Sequence, residues 1–261
     1  MAKLQIRHIT KTFKKGKEPE HVVLNDLSFD VEEGQFVSLL GPSGCGKTTL
    51  LTMIGGFQEP TSGEILLDGV PVKGPSSERG YVFQNYALFP WMSVEKNIAY
   101  GMKFLDIPPE EKEARMQSLI KMSHLQGHEK KFPIQLSGGM QQRVAVARAM
   151  AGRPKVLLLD EPLGAVDFQT RELMQNQLDQ MIREAGITAV MVTHDVAESV
   201  FMSDRVIVLG SNGGHILSDM KVDLPRPRQR DSEEFEHYTH ELTLLVRQAF
   251  NEGHHSLDEG E

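Results

Sequence analysis

The feature that most limits what this chain can fold into is a junction. The apolar run Gln35-Phe36-Val37-Ser38-Leu39-Leu40 ends at Gly41-Pro42-Ser43-Gly44-Cys45-Gly46-Lys47-Thr48, and Lys47 to Ile54 reads as helix. An unbroken apolar run closed by glycine is the pattern of a strand buried on both faces, as in parallel sheets covered by helices. The octet fits glycine, four residues of any kind, glycine, lysine, then serine or threonine, in the strand-to-helix context that gives the pattern its meaning. Its glycines let the backbone wrap so that successive N–H groups converge on phosphate, and the helix adds its positive N-terminal end. Lys47 supplies a point charge for the β and γ phosphates and Thr48 a hydroxyl for magnesium, with Thr49 in the same helical turn. Magnesium and ATP are the ligands expected here. Cys45 sits among the donors and has two readings: a thiol activated by the surrounding N–H groups, or an unreactive small residue.

Away from the junction, alternating apolar positions at Leu4 to Ile9, Val22 to Leu24 and Leu27 to Val31 predict an antiparallel sheet near the N-terminus. Two further buried strands, Lys155 to Leu159 and Thr188 to Thr193, flank helical sequence from Thr170 to Glu184, and a strand-helix-strand unit implies parallel pairing. Between Val94 and Ala151 the strand signal vanishes. Apolar periodicity at Lys112 to Met122 and Met140 to Met150 predicts a helical subdomain inserted in the α/β core. After Leu209 the chain turns at Ser211 to Gly214, passes a short strand and reaches a proline-marked connector, Leu224-Pro225-Arg226-Pro227-Arg228. An amphipathic helix over residues 232–250 precedes a polar tail, Asn251 to Glu261, whose His254 and His255 read as a frayed end rather than a metal site.

The 261 residues include one cysteine, which suits a reducing cytoplasm, and no run of 18 apolar residues, so neither a membrane crossing nor an export signal is expected. A net charge of −8 argues against broad nucleic-acid binding, which needs basic patches. Screening confines that charge to about 8 Å, so it does not argue against a local phosphate cradle.

Val156-Leu157-Leu158-Leu159-Asp160-Glu161 sets two carboxylates at the end of a buried strand, the edge where a parallel sheet presents ligand-facing residues. Neighbours on a strand point to opposite faces, so the pair divides its roles. Asp160 is the expected magnesium partner, and Glu161, beyond the last pairing, polarises the water that attacks the γ-phosphate. Leu136-Ser137-Gly138-Gly139-Met140-Gln141-Gln142-Arg143 places Ser137 as an N-cap before a helix, a second helix start suited to an anion. Alone, that pattern is what any capped helix shows.

Gln84, closing Tyr81-Val82-Phe83-Gln84, and His194, in Val192-Thr193-His194-Asp195, complete a set of elements in a family's order. Over residues 4–220 the chain resembles the nucleotide-binding subunit of ATP-binding cassette (ABC) transporters. The resemblance implies a P-loop NTPase (RecA-like) α/β core with an N-terminal antiparallel β subdomain and an inserted α-helical subdomain. The ATPase domain would cover residues 1–220, with residues 94–151 as its helical insertion, and residues 221–261 would form a C-terminal extension. It also implies ATP hydrolysis. Gln84 would contact magnesium and the attacking water, and His194 would hold the γ-phosphate and support Glu161. Phe13 would stack on adenine, with core packing as the rival, because the family more often has tyrosine there. Ser137, Gly138 and Gly139 of one copy would cap the ATP held by the phosphate loop of a second. In Leu163-Gly164-Ala165-Val166-Asp167, the loop that crosses between sites, Gly164 stands where serine is common and Asp167 keeps its place.

Leu88-Phe89-Pro90-Trp91-Met92-Ser93-Val94, with Asn97, and the connector Leu224 to Arg228 are similar to importers of the nitrate, sulfonate and taurine group. That likeness implies a second copy of the chain and transmembrane permease subunits as partners, and indirectly a solute-binding protein. No nucleic-acid partner is implied, and the location would be peripheral, on the cytoplasmic face of the membrane. Phe89 and Trp91 would be docking anchors if exposed, and core burial of Trp91 is the alternative. An exporter's motor and a soluble non-transport ATPase of the same superfamily are the other readings; the inserted coiled coil and the paired cassettes of the latter are missing from this sequence.

Overall fold

The computed structural model describes residues 2–14, 16, 20–164 and 168–258, and all their side chains except those of 168, 169 and 253–258. The chain forms two compact units, one of Met1–Pro75 with Val190–Glu261 and one of Ser76–Ala189.

In the first unit β1 (Ala2–Phe13) and β2 (His21–Glu32) pair antiparallel, with Leu4 opposite Val31 and Ile6 opposite Phe29. Leu4, Ile6 and Ile9 are wholly buried although Ile9 breaks the two-residue period. The register shifts between Ile6 and Ile9, and His8 has φ 50°, so a bulge carries Ile9 back to the core face. β3 (Phe36–Leu40) is buried throughout, and α1 (Lys47–Ile54) starts and stops where the sequence implies. β4 (Ser62–Leu67) lies between β1 and the short β5 (Val70–Pro71), giving an antiparallel sheet of order β2-β1-β4-β5, as expected near the N-terminus.

The second unit begins with β6 (Arg79–Val82) and then turns helical. α2 (Val94–Tyr100) leaves no periodic signal because seven residues make only two turns. Its encoding is local: Ser93 accepts the Lys96 N–H at 3.4 Å, and buried Asn97 reaches the carbonyl oxygens of Phe89, Met92 and Ser93 and accepts the Phe89 N–H. α3 (Pro109–Met122) has proline at its first position and Glu110 and Glu111 in its first turn, which suits the positive end of a helix. A 3-10 turn (Pro133–Gln135) leads to α4 (Gly138–Ala151), which contacts β6, α2 and α3. Arg115 of α3 donates to the Met150 and Ala151 carbonyls at 2.7 and 2.9 Å, satisfying the last turn of α4. β7 (Val156–Asp160) runs parallel to β6 with Leu158 opposite Tyr81, and α5 (Phe168–Glu184) follows and packs on α4.

β8 (Thr188–Thr193) leads back into the first unit, where α6 (Val196–Met202), β9 (Arg205–Leu209), β10 (Ile216–Lys221) and α7 (Glu233–Asp258) complete it. The strands lie in the order β10-β9-β3-β8, with β9 parallel to β3 and antiparallel to β10. α6 packs on β3, and α7 on α6, β9 and β10. α7 continues through residues 251–258, where a polar tail was expected. Those residues carry no apolar stripe, so pattern reading stops at Phe250, whereas a helix already nucleated gains one bond per added residue. Among the described residues no helix is long and apolar enough to cross a membrane.

Candidate functional site

β3 hands the chain to Gly41, Gly44 and Gly46, whose φ values are 155°, 85° and 97°. A Cβ on Gly41 would lie 2.7 Å from the Leu209 carbonyl oxygen, and one on Gly46 2.5 Å from Leu24 Cδ2, so these turns accept only glycine. Lys47, 6% exposed, folds its ammonium back over the loop, donating to the Gly41 and Pro42 carbonyls at 2.8 and 2.7 Å and lying 3.7 Å from Cys45 Sγ. Among the described residues its partners are all uncharged. A buried cation with only neutral acceptors is costly unless an anion joins it, and the N-terminus of α1 adds potential of the same sign. The cradle therefore fits a chain of phosphates.

Around it, Ser43, Gly44 and Thr48 are exposed, and Pro42 and Thr49 half-buried. Cys45 is buried, and burial pushes its thiol up against the opposing pull of Lys47, so the activated-thiol reading loses to the inert one. Phe13 is 45% exposed with the Lys11 ammonium 5.0 Å from its ring centroid, so the ring is not part of the core. His194 is exposed just past the end of β8.

In the second unit the carboxylates part company as soon as the strand ends. Asp160 is the last residue of β7, and its Oδ2 accepts the Tyr81 hydroxyl at 3.2 Å. Burial, reinforced by the neighbouring carboxylate, pushes the Tyr81 phenol far up, so it remains a donor. Glu161 has φ 43°, a left-handed conformation that is strained for glutamate and concentrates at functional sites. Its Oε2 accepts from Gln84 Nε2 at 3.1 Å, which brings together two of the expected catalytic residues.

Tyr86 and Ala87, just beyond Gln84, are also left-handed, at φ 60° and 45°. Arg148 of α4 donates to both of their carbonyls, at 2.8 and 2.7 Å, and sits 5.3 Å from the Phe89 ring centroid. Arg148 escaped sequence reasoning because a basic residue in a last helical turn already has a reason to be there. Tyr81 escaped because a strand tyrosine reads like any aromatic.

Ser137 caps α4 by accepting the Met140 N–H at 3.3 Å, with Gly138 and Gly139 opening the helix. A Cβ on Gly139 would meet Met174 Sδ at 2.7 Å, the movable end of a side chain. Asp167, with Ala165 and Val166, lies outside the described residues. Trp91 is 69% exposed, which removes its core reading. It joins Phe89 and Tyr100 in an aromatic cluster, with centroids 5.6 and 4.6 Å from that of Phe89.

Among the described residues no three His, Cys, Asp or Glu side chains are grouped to hold a metal. Magnesium does not need such a cage: it takes one or two protein oxygens and fills its octahedron with phosphate oxygens and water.

A buried strand feeding a lysine-bearing phosphate loop, and a strand-ending acid pair with a glutamine on the glutamate, define a P-loop nucleoside triphosphatase with an α/β core. Residues 24–164 match the ABC transporter family. An uncharacterized ABC transporter ATP-binding protein of Methanocaldococcus jannaschii is 45% identical over 246 residues, 94% of this chain and 91% of the relative. The nitrate import ATP-binding protein NrtC of Synechococcus elongatus is 46% identical over 231 residues, covering 87% of this chain and 35% of the relative. The spermidine/putrescine import ATP-binding protein PotA of Bacillus thuringiensis is 50% identical over 198 residues, 75% of this chain and 60% of the relative. The chain thus spans about a third of the nitrate protein and three-fifths of the polyamine one. Among solved structures, a dimeric ATP-binding cassette in a post-hydrolysis state bound to ADP and Pi superposes with TM-score 0.72 at 34% identity, covering 84% of this chain and 98% of that one. The chain belongs to the ABC transporter family. It is a transporter's ATP-binding subunit, an ATPase that works with ATP and magnesium.

Proposed function

We propose that this chain powers import of a small solute of the nitrate, sulfonate and taurine class, as a dimer that closes over two ATP molecules beneath membrane permease subunits. The observation that carries this reading is the exposed aromatic cluster around Phe89 and Trp91, just past Gln84, in a chain 46% identical to a nitrate import protein. Exposed aromatic surface of this kind suits a docking face, and the permease is its natural occupant. A solute-binding protein would act on the far side of the membrane, with this subunit peripheral on the cytoplasmic face. Residues 1–220 would form the cassette, with residues 94–151 as its helical subdomain and 221–261 as an extension.

In this reading the backbone from Gly41 to Thr48, with Lys47 and Thr49, holds the phosphates, and Phe13 stacks on adenine. Thr48, Asp160 and Gln84 are the oxygen donors toward magnesium, which when bound neutralises charge on the transferred phosphoryl group. Glu161 orients the attacking water and takes its proton, Gln84 steadies the Glu161 carboxylate, and His194 contacts the γ-phosphate. Ser137, Gly138, Gly139 and Asp167 act on the ATP of the partner copy. The likeness to a spermidine/putrescine import protein favours a second reading, polyamine uptake by the same motor under a different permease.

Affinity purification of the full chain from its native membranes tests the proposal, with Trp91→Ala as the comparison. The wild type is expected to bring down permease subunits, and the variant about tenfold less, as for an aromatic anchor worth 1–2 kcal/mol. Recovery of no membrane protein, or of an exporter, overturns it. Uptake assays with nitrate, taurine and spermidine on the recovered complex then separate the two substrate readings.

A further inference from the structure

The connector Leu224-Pro225-Arg226-Pro227-Arg228 has no part in the chemistry above, yet its two arginines make an unusual set of bonds. Arg228, 7% exposed, donates to the carbonyl oxygens of Val200, Phe201, Ser203 and Val222. Arg226 donates to those of Phe201 at 3.3 Å and Met202 at 2.9 Å, and to Asp204 Oδ1 at 3.1 Å. Arg230 lies over the Phe201 ring, 3.5 Å from its centroid. α6 ends at Met202, so the four carbonyls from 200 to 203 are those a helix leaves without internal partners, and each receives a guanidinium N–H. The positive charges also sit at the negative end of the helix.

The other end of α6 carries His194. Asp195 caps the helix by accepting the Glu198 N–H at 3.0 Å, and Thr193 Oγ1 accepts the Asp195 N–H at 3.0 Å while its hydroxyl bonds to the buried Glu198 carboxylate. His194, between Thr193 and Asp195, is therefore bracketed by bonds into the first turn of α6. A helix this short spans about 10 Å and has little stability of its own, so its place is set by its packing on β3 and α7 and by what grips its ends. The grip reaches the phosphate loop's own strand: Asp204, which takes Arg226, also accepts the Phe36 N–H at 2.9 Å and donates its N–H to the Phe36 carbonyl at 2.8 Å, at the base of β3.

We infer that Arg226 and Arg228 are positioning residues: by clamping the C-terminal end of α6 to the base of β3 they set where His194 stands relative to the phosphate loop. Residues 224–228 thus govern the γ-phosphate step and not nucleotide binding. The inference rests on His194 acting at the γ-phosphate, as proposed above. Lysine cannot reproduce it fully, because one ammonium cannot span the carbonyls that a planar five-donor fork reaches.

ATP titrations of turnover on the full chain, at saturating magnesium, test it. Arg226→Gln, at a partly exposed position, is expected to lower kcat on the order of tenfold with KM for ATP unchanged, as for a small displacement of a group at the reacting centre. Arg226→Lys should recover part of the loss, and Arg228→Lys should show the same kcat-only signature together with a lowered thermal melt, because buried carbonyls lose donors that one ammonium cannot replace. In a His194→Ala background Arg226→Gln should add nothing, because both changes act through one group. The inference is overturned if Arg226→Gln leaves kcat intact, raises KM instead, or multiplies the His194→Ala loss by the same factor it shows alone. If His194→Ala by itself leaves kcat intact, the reading of His194 has failed, and that result is distinct from an additive pair.

Discussion

The phosphate loop and the Gln84–Glu161 pair reach their geometry by opposite routes. From Gly41 to Lys47 the loop is shaped by its own backbone: positive φ at three glycines, and a lysine bonded to carbonyls five and six residues away. Gln84 and Glu161 are 77 residues apart and meet only because β6 and β7 lie side by side. A loop built from backbone geometry tolerates almost no change in residue type, whereas a site built from side chains on separate strands fails one group at a time, each with its own chemical signature.

That contrast can be broken by measurement. The largest effect is expected from Glu161→Gln, which keeps the hydrogen-bonding outline but removes the carboxylate. Turnover should fall about a thousandfold, the range for a positioned base, while equilibrium ATP binding persists and a nucleotide-bound dimer accumulates. Turnover near the wild-type rate, read by phosphate release, would remove Glu161 from its role. Next is Lys47→Ala, expected to weaken ATP binding about a hundredfold, as for loss of charge-assisted hydrogen bonds in a buried site. Unchanged affinity in a nucleotide titration would mean that the buried ammonium serves only the loop's own carbonyls.

Gly46→Ala probes the backbone side of the contrast. With φ 97° and a Cβ 2.5 Å from Leu24, the variant should lose about 2 kcal/mol of stability in urea denaturation, an overpacking and strain cost. A neutral result would show that the loop is less constrained than its geometry implies. The smallest effect is expected from Tyr81→Phe, which removes one hydrogen bond to Asp160 and should cost about 1 kcal/mol. Its reading is the magnesium concentration for half-maximal turnover, which should rise about fivefold with the ATP-binding isotherm unmoved; a shift confined to ATP affinity would detach Asp160 from the metal.

The linear order of residues determined the buried strand, the phosphate loop, the capped start of α4 and the strand-ending acid pair, because each depends on neighbours within one or two turns of chain. It also determined the family resemblance, through the order of those elements. Only the tertiary structure decided that Cys45 is buried beside Lys47, that Phe13 and Trp91 are exposed, that Tyr81 reaches Asp160 and Arg148 reaches the loop after Gln84, and that the connector arginines seal α6. The reason is physical: burial and side-chain pairing are set by which distant segments pack together, and an arginine, tyrosine or tryptophan looks the same in sequence whether its partner is water or a carbonyl brought from far along the chain.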